Sequence, residues 1–336
     1  MKMGILKYIF TLSLLFWFEI LHAQDPQLSQ FYASPVFTNP AFAGSERKVR
    51  VVSSVRNQYT ALKNNFKTTV FSLDGYSQKF NSGLGLLATY DLAGDGLLQT
   101  IHISGIYSFN MKLSRRWNIS AALQGSMVQR RFDASRLMFG DQLNEMAGYS
   151  GMPSADLQNL IARGRVFSNF SSGVLAYNKK FFGGIALHNM FEPNQSFVDV
   201  NSTKPELLLA RRYTMHAGYT IYFSKARYQD DKWMLSPNLL FMQQQNYYQI
   251  NMGMYAKKQA LTIGAWLRQT SRNSDALILL MGIKLPVFRI GYSYDITISK
   301  SRTAMGGSHE ISLAFLFNTN RRYATHRSKY LSCPDL

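Results

Sequence analysis

A single cysteine, Cys333, stands in 336 residues. It excludes an internal disulfide framework. Its place near the end leaves two readings, a structural bystander or a thiol that a partner or tail-recognition factor meets. It does not open the mature chain, so a bacterial lipid anchor is not expected.

Acid is scarce as well. Asp and Glu number 19 against 37 Lys and Arg, a formal net charge of +18, with a pI near 9.9. Such a balance invites a nucleic-acid reading. The basic residues are scattered through turns and strands rather than gathered on one stripe, so no nucleic acid is expected. A basic lumen, rims facing anionic lipid, or an acidic partner accounts for them better.

No run of about 18 apolar residues follows the first 23, which excludes a spanning helix. Any membrane crossing must then use strands. Mean hydropathy is only −0.14, while 46% of residues are hydrophobic and 14% aromatic. A barrel produces such an average, because lipid-facing and lumen-facing residues alternate. A soluble all-β protein would match the composition equally.

Catalytic signatures are missing too. No His-Glu-x-x-His, nucleophile elbow, phosphate loop or Cys-x-x-Cys occurs. Asp141, Glu145 and Asp156 share one stretch without a partner base. No enzyme, metal or cofactor is expected. His102, His188, His216, His309 and His326 read as lumen or girdle residues.

What is present begins with a leader over residues 1–23: Lys2 and Lys7, an apolar run from Ile9 to Ile20, then Leu21-His22-Ala23 as a cleavage site. At the other end lies Ser308 to Phe317, where Ile311, Leu313, Phe315 and Phe317 recur at every second position. A period of two makes a strand with one apolar face.

Fourteen such strands are predicted, near 48–59, 66–76, 81–91, 97–112, 115–132, 165–179, 181–190, 210–224, 232–243, 246–257, 259–270, 275–285, 287–298 and 307–318. Most have the length of a tilted membrane strand. The fold class expected is all-β, a transmembrane antiparallel up-and-down barrel of about 14 strands over residues 48–318. Loops 133–164, 191–209 and 299–306 are long, and the alternate connections are short. Short periplasmic turns facing longer outer loops would leave both termini in the periplasm. Arg50, Arg56 and Gln58 in the first strand, and Ser293, Asp295 and Thr297 in the thirteenth, are expected to face the lumen.

Residues 24–47 form no strand, since Pro26, Pro35 and Pro40 cannot serve a central ladder. Phe31, Tyr32 and Phe42 suggest packing. The segment is expected to plug the lumen or lie along the periplasmic rim; a disordered leader is the alternative. The tail, residues 319–336, carries Arg321, Arg322, Arg327 and Lys329. It reads either as a solvated periplasmic extension or as a contact for a periplasmic partner.

Two stretches merit separate mention. Asp91-Leu92-Ala93-Gly94-Asp95-Gly96 ends in a hairpin dipeptide. It half-matches a calcium loop, but Ala93 stands at the third position and His102 where the closing Glu belongs. Glu192-Pro193-Asn194-Gln195 is either a fixed turn or a contact surface for an exported partner.

Many fragments together resemble the PorP/SprF family of type IX secretion outer-membrane proteins of Bacteroidota. They run from Ser29-Gln30-Phe31-Tyr32 and Asn39-Pro40-Ala41-Phe42-Ala43-Gly44 through Arg56-Asn57-Gln58-Tyr59, Asp91 to Gly96, Phe139-Gly140-Asp141-Gln142 and Glu192 to Phe197. Arg211-Arg212-Tyr213-Thr214, Gly291-Tyr292-Ser293-Tyr294-Asp295 and Gly306 to Leu313 complete them. The resemblance implies an outer-membrane component of type IX secretion and gliding motility. It implies two partners, a secreted adhesin-type substrate held through its C-terminal domain and periplasmic components of the secretion system. A general porin or solute transporter is the alternative function.

Overall fold

The computed structural model describes residues 25–63, 65–94, 96–133, 140–144, 148–149, 164–197, 207–223, 233–271, 274–298 and 306–317. Fourteen long strands follow one another: β1 (Val49–Gln58), β2 (Phe66–Ser77), β3 (Ser82–Ala93), β4 (Leu98–Lys112), β5 (Asn118–Phe132), β6 (Arg165–Tyr177) and β7 (Phe181–His188). Then come β8 (Arg212–Tyr219), β9 (Met234–Gln244), β10 (Tyr247–Lys258), β11 (Leu261–Thr270), β12 (Ser274–Lys284), β13 (Phe288–Thr297) and β14 (Ser308–Phe317). Each is antiparallel to its neighbours in sequence, and β1 also pairs with β14, from Val49↔Phe317 to Gln58↔Ser308. The sheet therefore closes on itself as a 14-stranded barrel. Closure satisfies every strand edge, the condition for a sheet to stand in hydrocarbon. Among the described residues no helix is long and apolar enough to cross a membrane; the strands cross.

Side-chain alternation assigns the two faces. In β14 Glu310, Ser312 and Ala314 are buried, while Ile311, Phe315 and Phe317 are exposed. In β1 Arg50, Ser54 and Arg56 turn inward and Val55 outward. The outer belt carries Leu86, Ile103, Leu123, Met215 and Met281, the apolar band that lipid requires. The inner wall is small and polar, with Ser54, Ser72, Ser108, Ser120, Ser236 and Ser293 almost fully buried.

The predicted strand ends hold within about three residues, except in the eighth strand, which stops at Tyr219 rather than 224, with a separate paired step at Ile221–Tyr222. The fifth strand starts at Asn118, not 115, because Ser114 takes the backbone N–H of Arg116 and Trp117 in a turn. The third strand runs on past Asp91 to Ala93, and Leu97 N–H closes on Gly94 O at 3.2 Å.

Residues 25–47 lie inside the barrel as an arm. It contains one helical turn, α1 (Pro35–Thr38), and a 3-10 turn, Pro40–Phe42. Leu28, Phe31, Tyr32, Val36, Ala41 and Phe42 are all at most 4% exposed. Gly44 sits at the mouth where β2 turns into β3, against the backbone of Gly75 and Gly83. Asp25 sits at the opposite mouth, bonded to Gln244 and Asn189. The described residues thus place Asp25 at the mouth opposite to the one where β1 starts. β1 starts where β14 ends, but the arm leads back through the lumen.

Candidate functional site: the occupied lumen

The arm is held to the wall at four heights, each built from inward-facing residues. The most charged lies towards the mouth with the long loops. Glu310 of β14 accepts the backbone N–H of Ser29 at 2.6 Å and of Gln30 at 3.1 Å. Arg56 of β1 bridges Glu310 at 3.3 Å and Asp295 of β13 at 2.8 Å. Arg268 of β11 reaches Asp295 at 3.0 Å. At the centre is the Ser29 hydroxyl. It donates to Asp295 at 2.6 Å and accepts from Arg268 at 2.7 Å and from Arg56. One donor and two lone pairs are all a hydroxyl has, so every capacity of Ser29 is used. Gln30 completes the layer, donating to Glu310 O at 2.9 Å and accepting from Ser312 at 2.6 Å.

Two guanidiniums face Asp295 and Glu310 here, and the partly exposed Asp275 stands 3.6 Å from Arg268 as well, so the layer holds no excess of positive charge despite the basic chain. Buried charges persist only when paired and hydrogen-bonded, and the arm supplies part of that pairing.

The second height is apolar. Phe31 meets Trp266 edge-on at 5.4 Å, and Tyr32 meets Phe182 edge-on at 5.4 Å. Trp266 and Tyr255 also pack together at 5.3 Å. Large aromatics on an inner wall would be costly in an open aqueous pore; here the arm covers them.

At the third height Asn39 spans two strands. Its Nδ2 donates to Val174 O and Ile185 O, both at 3.2 Å, and meets His216 Nε2 at 3.1 Å. Its Oδ1 accepts from Ala41 N–H at 2.9 Å and caps the 3-10 turn. The approach demands Gly173 and Gly184 on the wall, since a Cβ at Gly173 would overlap the Asn39 amide.

At the fourth, Asp74 of β2 takes a fork from Arg50, Nε at 2.8 Å and Nη2 at 3.1 Å, together with Gly44 N–H at 2.9 Å. Arg289 of β13 holds Glu46 through both oxygens, at 2.9 and 3.0 Å. Gly44 has φ +72°, a left-handed conformation suited to glycine.

The residues singled out by sequence fall in several places. Asp91 faces inward and accepts from Thr68 at 2.6 Å. Gly94 and Gly96 take positive φ in the hairpin; Asp95 lies outside the described residues. Among the described residues no three His, Cys, Asp or Glu side chains gather as metal ligands. Glu192, Pro193, Asn194 and Gln195 follow β7 and are pinned to the barrel end. Arg165 donates to Asn194 O at 3.3 Å, Arg130 to the Gln195 side chain, and Asn194 bridges to Leu208. Glu192 pairs with exposed Arg211 at 3.5 Å. Arg321, Arg322 and Cys333 lie outside the described residues. His188 and His216 are buried lumen residues, and His309 faces outward, bonded to Tyr292 Oη at 2.7 Å.

Sequence reading did not assemble Arg56, Arg268, Asp295 and Glu310 into one layer. A usable signal was present: charged residues at inward parity, each two or three residues from the same end of its strand.

A family model described as type IX secretion system membrane protein PorP/SprF matches residues 20–315. The chain belongs to the PorP/SprF family. No curated protein sequence matches it. Among solved structures, the Pseudomonas putida toluene transporter TodX is similar at 8% identity and TM-score 0.45, over 88% of this chain and 95% of that one. Acinetobacter baumannii Omp33 is similar at 9% identity and TM-score 0.43, over 81% and 98%. A Pseudomonas aeruginosa FadL homologue is similar at 12% identity and TM-score 0.42, over 86% and 94%. This PorP/SprF protein is a type IX secretion membrane protein by its family, and its own strand pairing makes it a closed 14-stranded barrel.

Proposed function

We propose that this PorP/SprF barrel is a non-enzymatic docking component of type IX secretion. It holds a secreted adhesin-type protein through that protein's C-terminal domain, and contacts periplasmic secretion components through its short turns and the 319–336 tail. The leader over residues 1–23 is removed on export, and residues 25–47 act as a plug.

The observation that carries this reading is the filled lumen. Four layers of contact hold the arm, and among the described residues three cavities lined by both arm and wall measure about 10 to 50 Å³. That is room for a few water molecules, far below what a diffusing solute needs. A barrel so closed suits a scaffold better than a porin.

The test is photocrosslinking in native cells, with photoreactive residues in the 191–209 loop and in the 319–336 tail. The expected result is a secreted protein caught by the loop and a periplasmic component caught by the tail. No specific partner from either place, with steady ion conductance from the purified protein, would favour the porin instead.

A further inference from the structure

We infer that the amino end of the mature chain is displayed on the cell surface, beside the 189–211 connection. Strand counting alone would place it in the periplasm. The reason it does not lies in the order of the arm's contacts.

The two mouths differ in their connections. One carries 78–81, 113–117, 178–180, 259–260 and 285–287, all short, and the longer 223–233. The other carries the three of greatest combined length, 133–164, 189–211 and 298–307, beside the shorter 59–65, 94–97, 245–246 and 271–273. In outer-membrane barrels short turns face the periplasm and long loops face outward.

Each contact of the arm gives it a height. Gly44 bonds Asp74, three residues from the end of β2 at the short-turn mouth. Asn39 bonds Val174, three residues from the end of β6 at that mouth, and Ile185, the register partner of Val174 on β7. Ser29 bonds Glu310, the third residue of β14 from the long-loop mouth. Asp25 goes furthest. Its backbone N–H donates to Gln244, the last residue of β9, at 3.3 Å. Its carboxylate pairs with Arg212, the first residue of β8, at 3.3 Å, and accepts from Asn189, just past β7, at 3.0 Å. All three partners stand at the long-loop rim. The order is monotonic, so the arm threads the whole barrel.

The consequence is a single element, held at both mouths, that is not part of the wall. Whatever reaches the 189–211 connection from outside also meets the first residues of the arm. The far end of that arm runs directly into β1 at the periplasmic mouth.

The inference rests on the outward orientation of the long loops, and the test separates the two. A short epitope is placed between residues 24 and 25, and, in a second strain, the same epitope after residue 200 as an orientation reference. Antibody binding is compared on intact and permeabilised cells, with the heat-modifiable gel shift confirming a folded barrel. Full binding of both on intact cells is expected. Binding of the loop epitope alone would overturn the threaded amino end while leaving the docking reading in place. Binding of neither until permeabilisation would overturn the orientation and the inference together. Where the insertion blocks folding, Gln27→Cys in a Cys333→Ser background replaces it. Labelling of intact cells by a membrane-impermeant maleimide is then expected, and labelling only after permeabilisation would refute the inference.

Discussion

Ser29 donates its backbone N–H to the Glu310 carboxylate at 2.6 Å, across 281 positions of sequence. The bond joins the arm to the last strand of the barrel, and β14 is also the strand that closes on β1. Seating the arm and closing the wall therefore share a residue. Four measurable outcomes follow from contacts of this kind.

Glu310→Ala strips Arg56 of one carboxylate and leaves the Ser29 and Gln30 N–H groups without their acceptor. Removing one partner of a buried pair costs about 3–5 kcal/mol. The unfolding temperature of the purified barrel in detergent should fall clearly, and Glu310→Gln, which keeps an acceptor, should fall less. Equal melting of Glu310→Ala and wild type would show that the arm does not depend on this layer.

Arg50 and Asp74 should be coupled. Arg50→Met takes the ion-pair partner from buried Asp74, and Asp74→Leu takes the fork from buried Arg50, leaving it the longer contact to Glu46 at 3.4 Å. Together they remove both charges, and the loss should be smaller than the sum of the singles by about 1–3 kcal/mol. A residual cost should remain, since Gly44 N–H loses its acceptor. Denaturant unfolding of all four proteins gives the cycle; strict additivity would contradict the geometry.

Glycines on the wall should divide by what they face. A Cβ at Gly173 would overlap the Asn39 amide, whereas Gly105 has nothing within 4 Å. Gly173→Ala should displace the arm and raise its susceptibility to added protease in detergent. Gly105→Ala, equally central in its strand, should match wild type in the same digest.

Ser34 and Ser54 place their hydroxyl oxygens 2.8 Å apart, one on the arm and one on β1. Cysteines at both positions, with Cys333→Ser, should form a disulfide visible as a mobility difference on non-reducing gels. Deleting residues 25–44 should convert a silent barrel in planar bilayers into a conducting one, while the cross-linked protein stays silent. Equal conductance of wild type and the deletion would mean that the arm does not seal the lumen.

The sequence by itself determined the barrel and its two faces. The period-two pattern of Val49 to Gln58 and Ser308 to Phe317 fixes which side chains meet lipid, because a one-residue slip would turn them all inward. It also determined that residues 24–47 are not a strand, since proline cannot join a central ladder. It separated the chain from membrane helices, because no later apolar run is long enough. The many family fragments were legible as well, Ser29-Gln30 and Gly306 to Leu313 among them, without the reason that these should belong together.

That reason came only with tertiary structure. Inward parity says that Arg56, Arg268, Asp295 and Glu310 face the lumen; it does not say that they stand at one height around the Ser29 hydroxyl. Height depends on strand register and on closure of β1 against β14, which are long-range pairings with no local signature. The direction of the arm was hidden for the same reason. An irregular segment has no period to read, and its course is set by matching buried polar groups on the wall, Asp74 and the Val174 carbonyl near one mouth, Glu310 and Arg212 near the other. Local pattern decides the wall, and the pairing of groups distant in sequence decides what fills it.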